Sequence, residues 1–289
     1  MSAEGRIQTS VGGPDVTDGR HRVGGGGLRA DLILAVVRRD WSETLRNRLL
    51  LLTIIIPPVV LTIVPLLFGA LVRAQPLPPG LAQQVLAQRP EWGTLAPGEL
   101  TEAFGVQQFL VYFLLMPAYI PLAIASYSII GEKLSRSLEA VLATPIRTAE
   151  LLAGKAFAAL VPGVLTGWLT YVVFAWLAGV VYGPHLGAIV TDASWLAGAF
   201  LLGPAVGLVS VVAGVIVSSW VNDPRTAQQV GGILIVPIVG LTIVQATGTV
   251  LIGAVGYVLS SIALTVVGLG GLWLGTRLFR RETILTRWR

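Results

Sequence analysis

From Ala103 to Ile130 the chain runs 28 residues without a charged side chain, and from Thr226 to Thr276 it runs 51. Runs of this length exceed what a soluble core needs. About 20 apolar residues suffice for a helix to cross ~30 Å of hydrocarbon. In that solvent every backbone N–H and C=O must be paired within the protein, which leaves helices or closed barrels. Barrel strands alternate in segments of about ten residues, whereas these runs are continuous, so they predict helices. Composition agrees: 54% of the 289 residues are hydrophobic and 12% charged, with mean hydropathy +0.78, against about 25% charged in a soluble domain.

The charge-free runs predict six spans, at about 49–72, 104–130, 156–182, 194–221, 229–245 and 250–276. The last two come from one stretch that breaks near Ala246, Thr247, Gly248 and Thr249. With the N-terminus inside, the inner segments hold 18 of the 20 Arg and Lys, and only Arg73 and Arg89 fall outside. This is the positive-inside pattern. It predicts a multi-pass plasma-membrane protein with both termini cytoplasmic. The net charge of +5 therefore reflects topology and attraction to anionic lipid, not nucleic acid. The segment 1–27 is Gly-rich and polar, which predicts a disordered cytoplasmic tail, and span one starts too late for a cleaved signal peptide. A second tail is expected at 280–289, after a transmembrane domain over 49–279.

Residues 28–48 read as an amphipathic helix along the inner membrane surface. Ile33, Val37, Trp41 and Leu45 recur every four residues and so share a face, with Arg38, Arg39, Asp40 and Glu43 mostly elsewhere. Pro57, Pro58, Pro65, Pro117, Pro121, Pro162, Pro204 and Pro237 fall within the spans and predict kinks. Gly163/Gly167, Gly203/Gly207 and Gly271/Gly275 are spaced for close helix approach. The outer loop 73–103 is long enough for one or two short helices, and the other outer connections are short.

No Asp, Glu, Lys, Arg or His lies inside these spans. Ion-coupled carriers keep an ionisable group in the membrane, intramembrane metalloproteases need His and carboxylate ligands, and a serine protease needs a base. Cysteine is absent, and His185 sits in an outer connection. No catalytic, cofactor or metal site is predicted. The phosphate-binding pattern G-x-x-x-x-G-K-[ST] is missing too, since Gly154-Lys155 lacks the earlier glycine and the hydroxyl. The substrate stays unidentified. Thr53, Thr62, Ser126, Ser128, Thr166, Thr170, Ser210, Thr242 and Gln245 are the polar groups available to line a path, or to bond within their own helices.

The charge missing from the spans is concentrated in GEKLSRSLEAVLATPIRTAELLAGK, Gly131 to Lys155, which carries seven charged residues. As a helix, Glu132–Leu142 puts Leu134, Leu138, Val141 and Leu142 on one side and Glu132, Arg136 and Glu139 on the other. Thr144-Pro145 then supplies a helix start, and Thr148, with Glu150 in its first turn, a second one. The order of Glu132, Lys133, Leu138, Glu139, Leu142, Thr144, Pro145, Glu150, Gly154 and Lys155 resembles the inner loop of type-2 ABC-transporter permeases. The departures are Leu134 for an acid, Arg136 for Gly, Ser137 for Thr and Val141 for Leu. That resemblance implies the permease subunit of an ATP-driven exporter, working as a homodimer or with a related permease. ATP would be bound by a separate cytosolic subunit, so the chain would be no enzyme and hold no cofactor. It also implies that Glu132, Lys133, Arg136, Leu138, Glu139, Leu142, Thr144 and Pro145 form a coupling helix that meets the ATPase. The expected architecture is thus all-α: six transmembrane helices, an N-terminal interfacial helix and a short cytoplasmic coupling helix. A stand-alone secondary carrier or channel, or a non-transporting scaffold of permease form, are the competing readings.

Overall fold

Six helical segments long and apolar enough to cross a membrane make up most of the fold: Ile54–Val72, Pro97–Glu132, Ala149–Tyr182, Ala193–Ser218, Pro224–Ala246 and Ala254–Thr276. The structure, a computed structural model, describes residues 29–134, 146–221 and 223–278. No strand occurs among them.

Helix α1 (Ala30–Arg46) turns at Asn47 into α2 (Arg48–Val72), which is span one. A connecting helix α3 (Pro79–Gln88) and a 3-10 turn (Pro90–Thr94) follow. Span two is built end to end from α4 (Pro97–Gln107), α5 (Phe109–Phe113) and α6 (Leu115–Leu134). Span three is α7 (Thr148–Tyr182), followed by the short α8 (Pro184–Val190). Span four joins α9 (Ala193–Leu196), a π-helical segment (Ala197–Leu202) and α10 (Gly203–Trp220). Span five runs through α11 (Pro224–Gly231), a 3-10 turn and α12 (Ile235–Ala246), and span six is α13 (Ala254–Leu278).

Proline and glycine chemistry explains the interruptions. Pro79, Pro97, Pro184 and Pro224 sit in first turns, where the missing N–H costs no bond. Inside span two, Pro117 cannot donate to the Phe113 carbonyl, and the chain steps at Leu114, whose N–H bonds to the Val111 carbonyl at 3.1 Å. Pro204 likewise leaves Phe200 without its helical donor, and the turn before it widens to the π form. The Trp168 indole N–H donates to the nearby Ala199 carbonyl at 3.1 Å. Gly183, with φ of 85°, ends α7 in the left-handed region and reverses the chain.

Span two is the spine of the bundle, with Leu110, Ile120 and Ile130 wholly buried. The glycines predicted to bring helices together close upon it from two sides. A Cβ on Gly163 of α7 would lie 2.6 Å from Pro121 Cδ, and one on Gly207 of α10 would lie 3.2 Å from the Pro117 carbonyl oxygen. Gly271 of α13 meets Val212 of α10 in the same way, at 2.7 Å. With no hydrophobic drive between helices in lipid, such close backbone approach is the main source of cohesion.

At the end of the bundle away from α1, the segment between spans one and two folds back over the helix ends. Arg89 is 9% exposed, and its guanidinium pairs with Asp192 at 3.0 Å, Glu91 at 3.3 Å and the Ser194 hydroxyl at 2.9 Å. Gln88 donates to the Gly248 carbonyl and accepts from the Leu251 N–H, both at 2.6 Å. One short helix thereby ties the span three–four connection to the span five–six turn. Beneath it, Trp195 stacks on Phe174 with centroids 5.6 Å apart and donates to Gln107 Oε1 at 2.8 Å.

Candidate functional site

Charged side chains gather at the other end, where α1 lies across the ends of spans two and three. Lys155, in the second turn of α7, is the hub. Its Nζ lies 3.1 Å from Glu132 Oε2 and 3.6 Å from Asp40 Oδ2, and donates to Ser128 Oγ at 2.5 Å. Ser128 in turn donates to Asp40 Oδ2 at 2.9 Å. The side chains of Lys155, Asp40 and Glu132 are 3%, 2% and 5% exposed. A buried charge is tolerated only when paired and hydrogen-bonded, and here one cation serves two carboxylates from two other helices. Arg39 of α1 extends the network, with Nη1 3.5 Å from Glu132 Oε1 and Nε 3.1 Å from Glu43 Oε1.

A second fastening holds the start of α1. Glu150, in the first turn of α7, accepts from the Arg147 N–H at 2.9 Å and from the Arg29 N–H and Nε at 3.0 and 3.4 Å. The Trp41 indole of α1 donates to the Ala158 carbonyl of α7 at 3.0 Å. Gly154 makes the approach possible: a Cβ there would stand 2.8 Å from Val36 Cβ and 3.3 Å from the Ile33 carbonyl oxygen. The Gly-Lys pair at 154–155 therefore has a physical reading, the glycine admitting α1 and the lysine holding it.

This geometry corrects the face assigned to α1. Val37, Asp40 and Thr44 are its buried residues, while Leu45 is 67% exposed. A stripe of apolar residues misses the carboxylate that Lys155 draws inward. Span three likewise carries Glu150 and Lys155 within its first turns, and span two ends on Glu132, so the continuous helices extend beyond the charge-free runs.

Of the residues expected to meet a partner, Glu132 and Lys133 belong to the last turn of α6, where the span-two helix continues to Leu134. The Glu132 carboxylate faces inward to Lys155 and Arg39. Arg136, Leu138, Glu139, Leu142, Thr144 and Pro145 lie outside the described residues. Helix α7 uses the second of the two predicted starts, at Thr148 with Glu150 in its first turn. Sequence places Asp40 off the apolar face of α1 and Ser128 among the groups for a path, and assigns Lys155 no hub role. Their signal was weak: a lone acid at i+3 from Val37 and i−4 from Thr44, and one lysine after a glycine.

Four of the nine polar groups named for a path bond at home. Thr62, Thr170, Ser210 and Thr242 each donate to the carbonyl four residues earlier. Ser128 belongs to the ion network, and Gln245 is wholly buried.

A bundle of six spans whose second and third helices are locked together at the root of a charged loop fits a permease. The family described as ABC-2 family transporter protein matches residues 94–276. The chain belongs to that family. It is accordingly the membrane subunit of an ABC transporter, a multi-pass translocation subunit and not itself an enzyme. The match begins just before α4 and ends within α13, so it takes in spans two to six and the ion hub on Glu132 and Lys155, but not α1. ABC-2 permeases generally work with an ATP-binding subunit. No individually curated protein matches the chain.

Proposed function

We propose that this ABC-2 permease is the export subunit of an ATP-driven system and couples to a separate cytosolic ATP-binding subunit through the loop between spans two and three. On this reading the α1 end is cytoplasmic, as the Arg and Lys distribution favours. The permease pairs with a second copy or a related chain, and ATP is bound by the partner alone. The observation that carries the reading is the salt bridge of 3.1 Å between Glu132 and Lys155, which join the two sides of the loop. A displacement applied between them moves spans two and three together, and Asp40 carries it into α1. Leu138, Glu139 and Leu142 are then the contact residues, while Glu132 is a positioning residue behind them.

Co-expression with the ATP-binding subunit tests this. Glu139→Lys and Leu138→Asp should each abolish transport and the stimulation of ATPase turnover by the permease, in a complex that still elutes as one species. Unchanged turnover and transport in both variants would remove the coupling role. Transport by the permease reconstituted alone would remove the ATP-driven reading altogether.

A further inference from the structure

Spans one and three part near their middles and leave a groove of about 470 Å³. This is the size range of small-ligand sites, about 300–1,000 Å³. Its rim is aliphatic and open to the membrane: Ile55 and Val59 of α2 are 55% and 52% exposed, and Leu169 of α7 is 66% exposed. Its floor includes Thr62 and Thr170, 9% and 3% exposed. Their hydroxyls already donate to the Pro58 and Thr166 carbonyls, at 2.8 and 2.6 Å. Two of the three threonine hydroxyls along these walls are thereby taken up, and apart from Thr166 the occupant meets mainly methyl and methylene surface.

A charge stands at one end of this apolar slot. Arg48 precedes Ile55 by seven residues and Val59 by eleven, so it shares their face of α2 and lies about 10 Å along the helix axis from the first of them. It is exposed at the first turn of the span, where a helix meets the headgroup layer, and makes no ion pair among the described residues. A guanidinium there suits a phosphate, and the slot beyond it suits a hydrocarbon chain.

We propose that this groove is a phospholipid site, holding one acyl chain between α2 and α7 with the lipid phosphate on Arg48. The site favours lipids of net negative charge, because a zwitterionic headgroup sets its own cation beside Arg48, and it disfavours short chains, which leave the slot unfilled. It depends only on the chain spanning a membrane, not on how the transporter is powered.

The full-length protein, purified in detergent with phosphatidylglycerol or phosphatidylcholine and examined by native mass spectrometry, tests the site. One phosphatidylglycerol should remain bound per chain in preference to phosphatidylcholine. Arg48→Gln should weaken its retention about fivefold, and Leu169→Trp about tenfold for every two methylenes it displaces. Both replaced side chains are exposed, so folding is spared, and an unchanged gel-filtration profile checks this. A benzophenone side chain at Val59 should crosslink to a species of phospholipid mass. Crosslinking there to a second copy of the chain, or to a non-lipid cargo, would overturn the proposal, as would retention that neither substitution changes.

Discussion

Lys155 illustrates how much a single side chain carries when its surroundings exclude water. Removing the cation leaves the Asp40 and Glu132 carboxylates buried without the charge that pairs them both. Breaking a buried pair in this way costs about 3–5 kcal/mol, so Lys155→Met should lower the thermal stability of the detergent-solubilised protein markedly, as fluorescence-monitored unfolding would register. Gly154→Val is expected to cost less, about 1–3 kcal/mol, the usual penalty for overpacking, because Val36 must move aside. Its signature is local: faster hydrogen exchange in α1 with the rest of the bundle unchanged. Asp223 behaves differently because it titrates at the surface. It caps α11 by accepting from the N–H and hydroxyl of Thr226, each at 2.9 Å, and these bonds hold its carboxyl below the usual range. A depressed carboxylate contributes stability at neutral pH that is lost as pH falls through its folded-state pKa. Between about pH 5 and pH 2, wild type should therefore lose this contribution. Asp223→Asn, a comparable cap, should start near wild type and show a flatter melting-temperature profile across that window.

At the scale of elements, the helix between spans one and two acts as a clasp on the end opposite α1. Arg89→Met would leave Asp192 and Ser194 without their guanidinium and loosen the hold of α3 and the following 3-10 turn on the span ends. Hydrogen exchange of residues 79–94 should quicken, together with that of the turn at Gly248, since Gln88 bonds both sides of it. No change there would mean that the apolar contacts of Val85 and Trp92 hold the clasp unaided. The elements themselves were legible to different degrees. Six spans follow from the charge-free runs because lipid leaves a continuous apolar segment no alternative to a helix. The close contacts of Gly163 and Gly207 follow from spacing. The orientation of α1 does not, because Asp40 becomes an inward residue only once Lys155, more than a hundred positions later, is folded beside it. The same holds for Glu132, which local periodicity places on an open face and tertiary pairing turns inward.

For the whole molecule, the arrangement is a buried spine with an apolar exterior. Span two is enclosed by its neighbours, whereas spans one, three, five and six leave residues such as Leu67, Leu169, Ile243 and Val266 more than 60% exposed. Lipid or a neighbouring subunit must cover those faces. The helix of span three has a further consequence. Its 35 residues reach about 52 Å at 1.5 Å per residue, well past a hydrocarbon layer of ~30 Å. A membrane of ordinary depth leaves the Lys155 end of that rod among headgroups, while a thicker one would drag the charges toward oil, at a fraction of a kcal/mol for each ångström of mismatch. Acyl-chain length thereby becomes a dial on the protein's conformational balance, and the cell's choice of fatty acids a physical input to its transporters.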